Sequence, residues 1–148
     1  MMPLIPKMTS NTTPSGVASG SSYDSSDYEP YKAFDDDIQT AWVPNTTNGA
    51  GEWISYKFEK PVCVKKVALG VMQAKQYTHE TTFKIQASNN GSDWVDISEN
   101  LVNNVPVDVQ SYNINNNKEY LYYKLYIVSQ THSTTSGGII NTLQFYGK

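Results

Sequence analysis

The chain has 148 residues, the length of one domain, and enough to enclose a single substantial core. Its formal net charge is -3, and all 11 of its basic residues are lysines. Without arginine it lacks the planar fork that grips phosphates and guanine edges, and it has no basic amphipathic helix; nucleic acid and membrane insertion are therefore excluded as expected partners.

Residues 1–18 are rich in Ser, Thr, Pro and Gly with little periodicity, which predicts a linker or N-terminal extension. Residues 19–148 are predicted to form the folded domain. No positively charged leader precedes an apolar run, so the expectation is a chain without a secretory signal, and no apolar stretch is long enough to span a bilayer.

The run Asp35-Asp36-Asp37 follows Phe34 and precedes Trp42. Three adjacent carboxylates lose too much hydration to enter a core unpaired, whereas the two aromatics gain from burial. A loop pinned at both ends, its acidic middle curled back on itself, meets both demands. Such a loop offers oxygens to a hard cation, calcium above all; the alternative is a solvated acidic turn.

Beyond it, β-branched and aromatic runs alternate with turn residues, which predicts an all-β fold. Residues 53–58 read as a strand ending near Pro61. Residues 62–72 read as another, with Val64, Val67, Leu69 and Val71 facing the core. Cys63, the only cysteine, reads as a small buried hydrophobe, and no internal disulfide can form. Residues 83–87 alternate apolar and polar, Asn89-Asn90-Gly91 supplies a tight turn, and 94–97 returns. Residues 120–128 and 139–146 read as a third pair joined by the polar loop 129–138, with Tyr123, Leu125 and Ile127 on one face and Tyr122, Lys124 and Tyr126 on the other. A two-sheet antiparallel β-sandwich is the natural outcome.

Catalytic constellations are missing. His79 and His132 lie in separate polar loops, there is no nucleophile elbow or P-loop, and Glu52 and Glu80 have no sequence relationship that makes them a glycosidase pair. The chain is expected not to be an enzyme.

Several stretches in series resemble the discoidin family, the coagulation factor 5/8 type C domains, which overlaps carbohydrate-binding module family 32. Ala33-Phe34-Asp35-Asp36-Asp37 with Thr40-Ala41-Trp42 is similar to the family's Ala-Phe-Asp-Gly-Asp and Thr-x-Trp. The strand at Trp53-Ile54, the hairpin from Phe83 to Trp94 and the closing Tyr146-Gly147 follow in family order. The resemblance implies a jelly-roll β-sandwich of galactose-binding-domain-like type that binds glycans at loops on one end.

It also implies a structural calcium held by the Lys32 carbonyl, the Asp35 carboxylate, the Asp37 carbonyl and Thr40. The family's closing Glu is absent; Asn141-Thr142 stands there, which makes Thr142 the remaining candidate. Asp36 occupies the family's Gly position. For the glycan, the resemblance points to Tyr28 and Asn45 with Tyr23 and Asp24, to Lys75, Gln76, Tyr77 and His79, and to His132. Tyr77, in a strongly polar run, is the expected exposed platform. The galactose binders' arginine is missing, so Lys75 or His79 has to take its place.

The opening from Pro6 to Gly16 is similar to segments preceding such modules in bacteriophage tail and other virion proteins. The expected setting is a virion or the extracellular space, with host glycan or cell-surface polysaccharide as partner, other virion proteins as neighbours, and an oligomer to supply avidity. The competing expectation is a virion decoration or joint that uses the same fold without binding sugar.

Overall fold

The computed structural model describes residues 1–45, 49–71, 80–104, 109–130 and 139–147. Among the described residues, ten strands form two antiparallel sheets. They are β1 (Met2–Pro3), β2 (Val17–Gly20), β3 (Trp53–Val62), β4 (Val64–Val71), β5 (Thr81–Ser88), β6 (Val95–Asp96), β7 (Leu101–Asn103), β8 (Val109–Asn113), β9 (Tyr120–Gln130) and β10 (Ile140–Gly147). One sheet runs β1-β10-β4-β8 and the other β2-β3-β9-β5-β6, with β7 also paired to β5. The only helical pieces among the described residues are two 3-10 turns, Ser26–Tyr28 and Pro30–Ala33.

The core lies between the sheets and follows from alternation. Tyr123, Leu125 and Ile127 on β9 are fully buried, as are Phe83, Ile85 and Ala87 on β5, while the residues between them face outward. Val64, Val67, Leu69 and Val71 fill the opposing side from β4. Polar ties join the two sheets: Asn103 Nδ2 donates to Leu69 O (3.1 Å) in the buried interior, and Tyr112 Oη donates to Val102 O (3.0 Å) at the exposed edge.

Three features differ from the sequence expectation. β9 and β10 do not pair; they lie in different sheets. Both strands have an apolar inward face, so alternation alone does not say which neighbour each takes. The 89–94 turn is not tight, because β5 ends at Ser88 and β6 begins only at Val95, with Gly91 at φ 77° in the intervening loop. Cys63 is half-buried rather than buried, its Sγ donating to Asn116 O (3.7 Å).

Residues 1–18 also depart from a loose linker. β1 pairs with β10 (Met2↔Gly147), Ile5 and Met8 are buried, and Val17 already belongs to β2. Gln144 grips Ile5 on both sides: its Oε1 accepts from Ile5 N (2.9 Å), and its Nε2 donates to Ile5 O (3.0 Å). The segment has too few apolar residues to show periodicity, yet Ile5, Met8 and Ala18 all join the core.

Candidate functional site

Strand register gathers the long connections at one rim. Gly20 lies opposite Ile54, Trp53 opposite Tyr126, Ile140 opposite Val71, Val109 opposite Gly70, and Thr81 opposite both Gln130 and Asn103. The strand ends that flank segments 21–52, 72–80, 104–108 and 131–139 therefore all sit at the same end of the two sheets.

Segment 21–45 is locked onto this rim by Trp42, which is fully buried. Its backbone exchanges hydrogen bonds with Ile140 (2.9 and 3.0 Å), and its Nε1 donates to Ser22 O (2.9 Å). Phe34 is buried beside Tyr56, with ring centroids 5.6 Å apart. The two aromatics thus pin the acidic loop from both sides, as the sequence implies.

Between those pins, the loop curls around Thr40. The Thr40 hydroxyl lies 2.5 Å from Asp35 Oδ2, 3.0 Å from Asp37 O and 3.4 Å from Lys32 O. A hydroxyl carries one proton. Asp37 O also accepts the Thr40 amide (3.2 Å), which leaves Lys32 O and Asp35 Oδ2 competing for that single proton. Four hard oxygens thus converge with too few donors, a donor set that fits an oxygen-preferring cation. It holds a single carboxylate, since the Asp37 carboxylate instead accepts from Gln39 N (2.9 Å). No group of three acidic, His or Cys residues comes together among the described residues.

Thr142 makes no hydrogen bond to these four oxygens; it lines a groove with Asp36 and Ile38 on the outer face of the β1-β10-β4-β8 sheet. Its neighbour Asn141 reaches the loop instead, its Nδ2 donating to Ile38 O (3.1 Å). Asp36 adopts φ 57°, the left-handed conformation that glycine takes most readily.

Beside the acidic loop lies an open cleft of about 540 Å³, lined by the polar Asp24, Asp27, Tyr28, Lys32, Gln39 and Thr40 and by the apolar Ala41, Val43 and Ile139. Tyr28 is 39% exposed and stands at the end of a 3-10 turn whose start is capped by the Ser25 hydroxyl accepting from Asp27 N (3.3 Å). The cleft joins an aromatic surface to two carboxylates, an amide and an ammonium, groups able to meet a ring of hydroxyls. Asn45 is exposed nearby, its backbone N–H donating to Ser22 Oγ (2.9 Å). Tyr23 is exposed, whereas Tyr31 packs against the core. Lys75, Gln76, Tyr77, His79 and His132 lie outside the described residues.

Asp27 and Gln39 were not singled out by sequence. Gln39 follows the acidic run directly, and Asp27 sits one residue before Tyr28, so only the folding-back of the loop reveals that they share a wall. Glu52 serves the scaffold: its Oε1 accepts from the hydroxyls of both Ser21 and Ser22 (2.6 Å each).

The F5/8 type C domain model matches residues 17–141. The chain belongs to that family. No curated protein matches this F5/8 type C domain in sequence. Among solved structures it is similar to the CBM32 of AlyQ in complex with 4,5-unsaturated mannuronic acid (14% identity, 88% of this chain and 93% of that one, TM-score 0.71). It is also similar to chitosan-binding module 1 of a chitosanase/glucanase from Paenibacillus sp. IK-5 (18%, 93% and 99%, TM-score 0.67). A third is a CBM32 from Clostridium perfringens in complex with GalNAc-beta-1,3-galactose (15%, 89% and 95%, TM-score 0.70). At such identities the likeness is one of fold, and it covers 88–93% of the F5/8 type C domain chain.

Proposed function

We propose that this F5/8 type C domain binds carbohydrate without turning it over, using the rim that bears the acidic loop. The observation that carries the reading is the cleft at Tyr28, where an exposed ring stands beside Asp24, Asp27 and Gln39 at the end of the sandwich where the long connections gather. A sugar needs a flat apolar surface for its C–H face and paired donors and acceptors for its hydroxyls, and this cleft offers both. The solved modules of similar fold are named for, or in complex with, saccharide ligands, which supports the same reading.

Segments 72–79 and 131–138 depart from strand ends at this rim, so Lys75, Gln76, Tyr77, His79 and His132 belong to the proposal as further contacts. Calcium is its second part: Lys32 O, Asp35 Oδ2, Asp37 O and Thr40 Oγ1 would hold the ion, with water completing the shell, and the ion would stiffen the wall of the cleft rather than touch chemistry. One carboxylate makes for weak affinity. Attachment to host glycans from a virion, or from outside the cell, rests on the likeness of the opening segment alone.

The test is a glycan array followed by titration calorimetry on the hits. Binding to a defined glycan, weakened about tenfold or more by Tyr28→Ala, is the expected result. An array with no hit, or a hit unaffected by Tyr28→Ala, Tyr77→Ala and His132→Ala alike, overturns it, and the former outcome returns the domain to a structural joint.

A further inference from the structure

The outer face of the β2-β3-β9-β5-β6 sheet alternates cations and rings, and the rim reading uses none of them. Lys57 on β3 lies opposite Tyr122, Lys124 on β9 opposite Gln86, and Lys84 on β5 opposite Tyr126. The three lysines therefore fall on one diagonal, each step moving one strand across and two residues along. Such diagonal neighbours are about 7–8 Å apart, so the row runs for roughly 15 Å.

Each ammonium rests on an aromatic ring. Lys124 Nζ lies 4.0 Å from the centroid of Trp94 and 4.9 Å from that of Trp53. Lys57 Nζ lies 5.5 Å from Tyr122, and Lys84 Nζ 5.4 Å from Tyr126. Among the described residues a single carboxylate answers them: Asp96 pairs with Lys84 at 3.2 Å and also accepts from Gln86 Nε2 (2.8 Å). Among the described residues, Lys57 and Lys124 have no carboxylate within ion-pair distance. Burial pulls the Lys124 ammonium below the ordinary lysine range, the condition of a cation that has lost water and gained no counter-charge.

This arrangement is unusual in a chain of net charge -3. The rim segment collects Asp24, Asp27, Glu29, Asp35, Asp36 and Asp37 against Lys32, so the negative charge is concentrated there and the lysine row stands apart from it. An anionic chain is repelled at the rim and attracted to the sheet face.

We infer that this face is a second binding site, for a linear acidic polysaccharide whose carboxylates lie along Lys57, Lys124 and Lys84 and whose sugar rings lie against Trp53, Trp94 and Tyr122. A row of cations fits an extended polyanion better than a compact anion, and the interleaved rings offer stacking surfaces for pyranose C–H faces. Carboxylate is favoured over phosphodiester because every cation is a lysine, with no guanidinium fork for phosphate.

The experiment is titration calorimetry of the 148-residue domain with polygalacturonate, its fully methyl-esterified form and an oligothymidylate. Saturable binding of polygalacturonate is expected, weakening with added salt and about tenfold weaker for the ester. The combined Lys57→Gln, Lys84→Gln, Lys124→Gln variant should lose about tenfold in affinity, and Tyr28→Ala should lose none, which separates this site from the rim. Lys57→Gln alone, an outward-facing change, should cost about threefold and keeps the test open should the triple variant fold poorly. Absence of polygalacturonate binding, equal affinity in the lysine variants, an equal loss on Tyr28→Ala, or oligothymidylate binding as tightly overturns the inference.

Discussion

The Thr40 hydroxyl lies 2.5 Å from Asp35 Oδ2, in a ring of acceptors that its single proton cannot satisfy. A cation entering that ring removes the competition between Asp35 and the Lys32 carbonyl. Calcium at about one hundred times its Kd is then expected to stabilise the fold by about 2.7 kcal/mol, which for a chain of this size raises Tm by roughly 5–10 °C. Asp35→Asn and Thr40→Val should each abolish the calcium-dependent part of the shift. Calorimetric melts with calcium and with chelator measure it, and identical melts for the wild type under both conditions would remove the ion from the account.

Trp42 supports a second expectation. It is wholly buried, and its backbone and indole N–H together tie the acidic loop to β10 and to Ser22. Trp42→Ala should cost about 3–5 kcal/mol through lost transfer energy and the cavity left behind. Trp42→Phe keeps most of the packing but leaves Ser22 O without the indole, and should cost about 0.5–1.5 kcal/mol for the lost bond in addition to the change in volume. Urea denaturation of the three proteins gives both figures; equal midpoints would mean that the loop is not anchored through this side chain.

These two sites also mark what the sequence makes legible. Alternation in β9 and β5 and the aromatic bracket at Phe34 and Trp42 are local patterns, and local patterns survive into the fold because burial enforces them. Strand partners are not local. Nothing in β9 or β10 announces that they lie in different sheets, since each merely needs its apolar side covered. The cleft at Tyr28 was half legible for the same reason: Tyr28 and Asp24 are neighbours in the chain, whereas Gln39 reaches the same wall only after the loop doubles back. The lysine row was visible in pieces, as Lys124 between Tyr122 and Tyr126 on one face of β9, but its diagonal exists only once the register with β3 and β5 is fixed.

A third expectation concerns alkaline pH. Burial pushes the hydroxyls of Tyr112 and Tyr123 up to about 12 from 10.0. In the folded state they keep protons that the unfolded chain releases from pH 10 upward. Their contribution to stability is therefore fully present below pH 10, falls as pH rises from 10 to 12, and is gone above. Tyr123 Oη also accepts from Val64 N (3.3 Å), so Tyr123→Phe should lower neutral-pH stability by about 1–3 kcal/mol while making the alkaline decline shallower. Absorbance titration of the phenolates alongside melts at rising pH would detect both effects. A decline of unchanged steepness in Tyr123→Phe would assign the alkaline sensitivity elsewhere.

The last expectation turns on Asp36, an exposed residue held at φ 57°. The left-handed region costs an L-residue about 1–2 kcal/mol, less for Asp, whose short side chain tolerates it. Glycine removes that strain but loses about 0.5–1 kcal/mol through the greater freedom of its unfolded chain. Asp36→Gly should therefore change stability by less than about 1 kcal/mol, with any gain enlarged by separating Asp35 and Asp37 from a third like charge. Asp36→Val, β-branched and uncharged, should lose about 1–2 kcal/mol, because it relieves the same repulsion yet cannot relax the backbone. The comparison of the two variants isolates conformation from charge, since both delete the carboxylate. Thermal melts decide: a Gly variant more stable than the Val variant at high and low salt alike belongs to the backbone, and equal melts for the two refute the strain argument, while a gap between the wild type and both variants that shrinks with salt reports the relieved repulsion.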